Sequence, residues 1–357
     1  PDARGGALGD AGVATSPDAS SMHYNAAKYV FSENDFGLAM SYSPWLRGLV
    51  NDISLAYLSG YYKIDNNQAV AASLRYFSLG DITFTDKHGL TIGQYRPSEF
   101  AIDGSYIRKF SEHISGAVTG RFINSNLTGG IFVGGAETEA GQSFAADASF
   151  FYTKDLNWGD IPGNFSFGTN ISNIGTKMSY TDDDNEKDFI PINLKIGSAF
   201  TFDFDEYNSL TFLFDINKLL VPTPPIYAID STGNPVMDND NNYVIAQGKD
   251  PNRSIVSGMF GSFSDAPGGF EEEIKEFTYS VGLEYWYDNQ FAIRGGYFHE
   301  HAHKGNRKYF TLGAGFRMNV FGLDFAYLIP LEQKHPLENT LRFTLTFNFE
   351  AFKDMGS

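Results

Sequence analysis

The clearest pattern in the chain is a strict alternation of apolar and polar residues near its end. In TLRFTLTFNF (340–349) every second residue is Leu or Phe, and Thr, Arg or Asn stand between them. A period of two is typical of a β-strand with one apolar face. The same period recurs in 277–287 and in 192–204. These segments are longer than the usual globular strand of about 5–6 residues, and they match the roughly 9–11 residues of a tilted strand that crosses a bilayer.

Fourteen such segments can be delimited along the chain. The predicted strands are 35–43, 52–62, 68–78, 99–110, 113–124, 143–154, 163–172, 191–204, 208–218, 277–287, 291–299, 309–318, 322–330 and 339–349. Short connections such as 63–67 and 288–290 alternate with long ones such as 79–98 and 219–276. Such alternation is typical of a membrane barrel with short inner turns and longer outer loops. We therefore predict an all-β, 14-stranded antiparallel barrel of the outer membrane; a large secreted β-solenoid or jelly roll is the alternative.

Charged residues within the last five predicted strands fall on the polar side of each strand. A charge facing hydrocarbon would cost a few kcal/mol, about 2–4 for Arg at the midplane, so these residues are expected to point into the lumen. Their mixed signs allow them to pair there. The predicted lumen charge network is Glu284, Arg294, Arg317, Asp324 and Arg342.

The first residues of the chain are rich in Gly and Ala and lack an apolar stripe at helical or strand spacing. A 14-stranded barrel is too wide for its own side chains to fill, because about 8 strands already reach that limit. We therefore predict that residues 1–33 form a plug inside a barrel of residues 34–357; a disordered periplasmic tail is the alternative. The polar residues expected to hold the plug are Arg4, Asp10, Asp18, Ser20, His23 and Asn25.

Composition narrows the class of partner. The formal charge of −17 argues against nucleic acid, because phosphate binding requires clustered Lys and Arg. There is no cysteine, which excludes disulfides and thiol chemistry. No run of 18 apolar residues occurs and no signal sequence opens the chain, so we expect a signal peptide to have been removed.

Several motifs suggest chemistry but lack its structural context. HEHAH (299–303) has the letters of a zinc-protease motif, which requires a helix, yet it stands between two predicted strands. The runs DDDNEKD (182–188) and DNDNNY (238–243) lack the Gly and Glu positions of an EF-hand, although surface Ca²⁺ is left open. No GxSxG nucleophile motif is present. We therefore expect no catalytic residue, no resident metal, no cofactor and no enzymatic activity.

Residues 219–276 form the longest predicted outer loop, far beyond the ~12–15 residues at which a loop is suspected of function. The loop carries many apolar residues, and FEEEIKEF (270–277) is predicted to form a short amphipathic helix. Exposed apolar groups usually mark a partner surface; the alternative is that they fold back over the barrel mouth. The predicted partner-binding residues of the outer loops are Trp45, Leu46, Leu49, Pro224, Tyr227, Met259, Phe260 and Phe263.

The segment DARGGALGDAGVATSPDASSMHYNAAKYVF (2–31) resembles the start of the PorV family, outer-membrane barrels of the type IX secretion system. This family is related to the long-chain fatty-acid transporter barrels, whose GGAGVA…DASA…NPA openings form a hatch inside 14 strands. The chain departs from the motif at Ala26, where relatives usually carry Pro, so a less rigid hatch turn is expected.

The resemblance implies a location in the outer membrane of a Gram-negative, Bacteroidetes-type bacterium and a non-enzymatic role as a shuttle. The implied partners are the type IX translocon barrel protein, secreted cargo proteins with C-terminal signal domains, a sortase-like attachment complex and outer-membrane lipids. A transporter of hydrophobic small molecules such as long-chain fatty acids remains the main alternative. An outer-membrane lipid-modifying enzyme is the third class.

Overall fold

The wall of the molecule consists of long antiparallel strands that follow one another along the chain. The computed structural model describes residues 1–45, 52–85, 88–127, 129, 132–133, 136–181, 187–239, 242–332, 337–338 and 340–348. The predicted partner residues Leu46 and Leu49 lie outside these described residues. So does most of the acidic run 182–188.

The described elements are numbered here in chain order. The strands are β1 (Phe36–Pro44), β2 (Ser54–Asp65), β3 (Gln68–Ser78), β4 (Ile82–Thr85), β5 (Thr91–Tyr95), β6 (Ser98–Lys109), β7 (Ile114–Asn126), β8 (Phe132–Val133), β9 (Ala136–Glu137), β10 (Gly141–Trp158), β11 (Ile161–Gly175), β12 (Asn193–Asp203), β13 (Asn208–Leu219), β14 (Ile226–Tyr227), β15 (Ile245–Gln247), β16 (Thr278–Tyr287), β17 (Phe291–His299), β18 (Lys308–Arg317), β19 (Phe321–Pro330) and β20 (Leu341–Asn348). The α-helices are α1 (Ala3–Ala7), α2 (Ile255–Gly261) and α3 (Phe270–Lys275), and 3₁₀ helices span Ser21–His23, Ala26–Phe31 and Ala302–Lys304.

Fourteen of these strands close into a barrel. Its order is β1-β2-β3-β6-β7-β10-β11-β12-β13-β16-β17-β18-β19-β20, so each wall strand pairs with the next wall strand along the chain. The barrel closes where β1 pairs with β20, with Leu38 opposite Phe347 and Met40 opposite Leu345. The predicted fold class is therefore confirmed. All fourteen predicted strands are present, and 68–78 and 291–299 have the predicted bounds.

The two faces of the wall differ as the alternation predicts. Large apolar side chains cover the outside, and Ile293, Val118 and Leu312 are 69%, 65% and 56% exposed. Neighbouring residues of the opposite face are polar and buried, as Arg294 and Asp324 show at 1% exposure each. Apolar groups thus line the outer surface, and charged groups line the lumen.

The long connections carry small elements of their own. The pairs β4–β5, β8–β9 and β14–β15 form separate two-stranded sheets, and α2 and α3 lie in the connection between β13 and β16. The predicted helix in 270–277 is confirmed as α3 (Phe270–Lys275). Among the described residues, no helix is both long enough and apolar enough to cross a membrane.

The first 31 residues contact the polar faces of strands around most of the barrel. Helix α1 contacts β17, β18, β19 and β20, whereas the 3₁₀ helix Ala26–Phe31 contacts β2, β3, β6, β7 and β10. Most apolar residues of this segment are buried, and Ala3, Leu8 and Val13 are 0% exposed. One short segment thus packs against two opposed parts of the wall.

The lipid-facing side can be tested at Leu312, in the middle of β18. We expect Leu312→Arg to destabilise the barrel by about 2–4 kcal/mol, because a guanidinium would face hydrocarbon. Leu312→Phe keeps an apolar group of similar bulk and serves as the control. Urea unfolding in lipid vesicles, followed by heat-modifiable gel mobility, measures the difference. Equal stability of the two variants would show that this face does not meet lipid.

Candidate functional site

The N-terminal segment is shaped by small residues where the chain passes close to other groups. Gly9 has φ of 69°, a left-handed conformation that favours glycine, and a Cβ there would lie 2.6 Å from the carbonyl oxygen of Tyr297. At Gly12 a Cβ would lie 2.5 Å from the ring of Tyr24. The small residues of the opening stretch therefore allow the backbone to lie directly against the wall and against its own side chains.

Arg4 connects the N-terminal segment to the wall. Its Nε and Nη2 donate to the two carboxylate oxygens of Glu284 at 2.9 and 2.6 Å, and its Nη1 donates to Asp18 Oδ2 at 2.8 Å. All three side chains are mostly buried. Bidentate pairing of this kind is among the strongest hydrogen-bonded ion pairs.

Asp10 forms a second ionic contact with the wall. It pairs with the guanidinium of Arg342 and accepts a hydrogen bond from the Tyr309 hydroxyl at 2.6 Å. Burial alone would raise the pKa of Asp10, but the adjacent Arg342 holds it below its usual value. In the same way, Arg4 outweighs burial and lowers the pKa of Asp18. Both carboxylates are therefore charged partners at neutral pH.

The remaining predicted plug residues differ in their contacts. Asn25 caps the 3₁₀ helix Ala26–Phe31 by accepting from Ala27 N, and its amide donates to Phe150 O of the wall at 2.9 Å. The His23 ring accepts from Arg75 Nη2 at 3.0 Å. Ser20 is buried, and its backbone N–H donates to Asp18 Oδ1. Ala26 occupies the first helical position, where Pro is also tolerated.

The lumen charges predicted from the strand pattern meet in the structure. Arg294 donates to Glu284 at 2.6 Å and to Asp324 at 2.7 Å, and Asp324 also pairs with Arg317 at 2.7 Å. Through Glu284 this row continues to Arg4. Arg342 does not join the row and pairs with Asp10 instead. Four predicted residues thus form one network with the N-terminal segment, and the fifth contacts that segment separately.

The longest described connection is held to the barrel by a cluster of lysines and glutamates. Lys218 Nζ at the end of β13 lies 3.2 Å from Glu273 Oε2 and 2.6 Å from Glu276 Oε2. Lys304, from the connection between β17 and β18, pairs with Glu272 and Glu276 at 2.6 and 3.0 Å. Helix α3 is therefore fixed to the rim from two sides.

The predicted partner residues of this connection differ in exposure. Phe260 is 76% exposed and Phe263 is 45% exposed, whereas Met259 is half-buried. Pro224 and Tyr227 are exposed, and Trp45 on the neighbouring connection is half-buried. The structure brings Phe263 close to Lys218, with the ammonium 5.7 Å from the ring centre.

The family comparison assigns the chain. The family model described as "Type IX secretion system protein PorV" matches residues 1–226. The chain belongs to the PorV family. It is therefore a type IX secretion barrel of the outer membrane of a Gram-negative bacterium. No curated protein sequence matches it.

Solved structures with the same fold are distant in sequence. The Pseudomonas putida toluene transporter TodX is 10% identical, with 96% of each chain covered and a TM-score of 0.54. The CymD monoaromatic hydrocarbon channel is 13% identical, with 98% of this chain and 97% of that chain covered and a TM-score of 0.50. At these identities the likeness establishes only that the PorV-family chain shares their barrel fold.

The HEHAH motif of this PorV-family protein forms an ion pair in place of a metal site. Glu300 of HEHAH pairs with Arg307 through two hydrogen bonds of 2.7 and 2.8 Å, and the following helix spans only Ala302–Lys304. Within the described ranges, no group of three or more His, Asp or Glu could hold a metal ion. Most of the run 182–188 lies outside those ranges, so Ca²⁺ binding there is not tested.

Sequence reasoning missed a second lumen cluster in the PorV-family barrel. Arg121 of β7 pairs with Asp103 of β6 at 2.5 Å and with Asp147 of β10 at 2.9 Å. Its Nη1 also donates to Asn173, which has φ of 62° at a β-bulge between β10 and β11. The alternation of each strand could have revealed this cluster, because it places all three charged residues on the polar face.

The lumen row can be tested at its centre. We expect Arg294→Gln to destabilise the barrel by about 3–5 kcal/mol, because Glu284 and Asp324 would remain buried with fewer charged partners. Arg317→Gln is the matched control, since Arg317 is 25% exposed and contacts only Asp324 in this row. Urea unfolding in vesicles compares the two. A smaller loss for Arg294→Gln than for Arg317→Gln would contradict the assignment.

Proposed function

We propose that this protein binds secreted cargo through the cargo's C-terminal signal domain at the type IX translocon, and carries it to the sortase-like attachment complex. Membership of the PorV family is the observation that carries the proposal, since it assigns the chain to this secretion system. The shuttle step itself is our inference. The exposed part of the outer connections supplies its contact surface.

The outer connection between β13 and β16 has the features of a docking surface. Phe270 and Phe260 are 79% and 76% exposed, and Val256 is 62% exposed. Large apolar groups held outward in water favour a partner that covers them. The opposite side of α2 is packed, because a Cβ at Gly258 would lie 2.7 Å from the ring of Phe189.

The ionic cluster beneath α3 supports the same proposal. Lys218 and Lys304 hold Glu276 between them, so the helix that carries Phe270 is fixed before any partner arrives. A preorganised surface loses less conformational entropy on binding. This favours docking by a rigid outer surface over binding by a flexible loop.

We further propose that residues 1–33 act as a plug that keeps the lumen closed. The support is the set of buried contacts that Arg4, Asp10 and Asn25 make with the wall. A shuttle gains from a closed lumen, because a permanent pore of this width would leak small solutes. The plug and the docking surface then serve one function: presenting cargo without opening the membrane.

Transport of hydrophobic small molecules is the second candidate. It is favoured by a cavity of about 370 Å³ in the outer part of the lumen, which has Phe77, Ile123 and Phe189 among its walls. A transporter would need an open route past the N-terminal segment, whereas a shuttle would not. The two functions therefore predict opposite effects of a permanently fixed plug on activity.

Deleting residues 1–29 tests the plug. We expect the barrel to assemble and to conduct ions, because the contacts that fill the lumen are lost. Single-channel recording in a planar bilayer measures conductance, and heat-modifiable gel mobility confirms that the barrel is folded. The unmodified protein is the control. A folded, truncated barrel that stays closed would show that residues 1–29 do not seal it.

Replacing both Phe260 and Phe270 with Ser tests the docking surface. Since both side chains are more than three-quarters exposed, we expect normal assembly but at least a tenfold loss of cargo release to the surface. Ser257→Asn with Glu271→Gln, at exposed polar positions of the same helices, is the matched control. The amount of cargo secreted into the culture medium is measured for both double variants and for the unmodified protein. Normal secretion by the Phe double variant would argue against this surface.

A further inference from the structure

A cavity of about 370 Å³ lies at the outer end of the lumen. Its walls come from the ends of β3, β6 and β7 and from the connection between β11 and β12. The apolar side chains that line it include Phe77, Ile123, Met178, Phe189 and Ile190. The volume falls at the small end of the range for specific ligand pockets, about 300–1,000 Å³.

Arg75 contributes to this cavity a guanidinium that is not paired with a carboxylate of any residue that the structure describes. Its Nη2 donates to His23 Nδ1 at 3.0 Å, and its guanidinium lies 5.5 Å from the ring centre of Tyr57. Its Nε is shielded from solvent and has no hydrogen-bond partner among the described residues. Burial lowers the pKa of His23 well below its ordinary value, so this contact is neutral and does not balance the guanidinium.

Arg75 differs in this respect from the other arginines of the lumen. In the described part of the chain, each of those pairs with a carboxylate. They are Arg4, Arg121, Arg294, Arg317 and Arg342. Arg75 is half-buried with its Nε shielded from solvent, and an arginine fork suits a carboxylate. Arg75 is therefore arranged to receive an anion.

The other charged groups of the cavity do not supply that anion. Glu99 accepts a hydrogen bond from Ser125 Oγ at 2.5 Å, and Asp188 is exposed at the rim. Arg121 is occupied by Asp103 and Asp147. Neither carboxylate that lines the cavity forms an ion pair with Arg75. The cavity thus offers one available guanidinium beside an apolar chamber.

We propose that this cavity binds the free C-terminus of the cargo, with the terminal carboxylate on Arg75 and an apolar last side chain against Phe77, Ile123 and Phe189. This inference rests on the proposed function, which supplies a ligand whose recognition signal lies at the end of its chain. A C-terminus combines a carboxylate with an adjacent side chain, and both match the cavity. Capture of terminal carboxylates is a recurring mode of peptide recognition.

The depth of the site suits a chain end. Arg75 lies three residues before Ser78, the last residue of β3, which places it about 10 Å below the strand end at ~3.3 Å per residue. An extended peptide reaches this depth with about three residues. The carboxylate would also approach the Arg75–His23 contact, so cargo in the cavity would contact the N-terminal segment indirectly.

The experiment compares a cargo signal domain that ends in a free acid with the same domain amidated at its C-terminus. Both are titrated by calorimetry against the full-length barrel in a non-ionic detergent. We expect amidation to weaken binding at least tenfold. Arg75→Gln should weaken binding of the acid form to the same extent and leave the amide form unchanged. Arg75→Lys, which keeps the charge, should restore part of the affinity.

Arg108→Gln is the matched control, because Arg108 is an exposed arginine at the other end of the barrel wall. It should bind both forms like the unmodified protein, and gel mobility confirms that each variant is folded. Equal, tight binding of acid and amide would overturn the inference and leave the proposed function intact. Absence of binding by either form would overturn both. Arg75-dependent binding of decanoate, together with equal binding of acid and amide, would assign the site to an acyl anion and overturn the cargo assignment.

Discussion

Closure of the hydrogen-bonded ladder between β1 and β20 is the constraint on which the rest of the structure depends. Inside a bilayer every backbone N–H and C=O must be paired within the protein, and an open sheet edge would leave a whole row unpaired. The register of Leu38 with Phe347 completes that pairing. Closing fourteen strands fixes a lumen that is too wide for the side chains of the wall alone to fill. Under our proposal, the small residues of the opening stretch occupy this space.

Charge balance inside the lumen follows from the same geometry. The polar faces of the strands are enclosed, so a charge on them needs a partner of opposite sign. Along β16 to β19 the partners come from other wall strands. Glu284 and Arg294 face each other directly on adjacent strands, whereas Asp324 pairs with Arg294 from two strands away. At Arg342 the partner comes from the N-terminal segment, through Asp10. The segment therefore completes the electrostatics of the wall as well as its packing.

The sequence predicted the barrel well because alternation is a local property that each strand displays separately. It also predicted which charges share the lumen, as with Arg294 and Asp324. The side of the sheet that a residue faces depends only on whether its position in the strand is odd or even. It did not predict that Arg342 leaves the row for Asp10, since that pairing joins opposite ends of the chain. The cluster around Arg121 was missed, although the strand pattern placed its charged residues on the polar face. The bulge at Asn173 interrupts the alternation and has no periodic signal in the sequence. The outer connections were predicted as long and apolar with one helix in 270–277, which is α3. Helix α2 and the Lys218 cluster were not predicted, because they depend on tertiary contacts.

The contacts of α1 have a consequence for the order of assembly. This helix precedes every wall strand along the chain, yet it packs against β17, β18, β19 and β20, the last four wall strands. Its binding surface does not exist until those four strands are paired. The residues of α1 are thus made before the strands that they contact, and they reach these contacts only after β17 to β20 have formed.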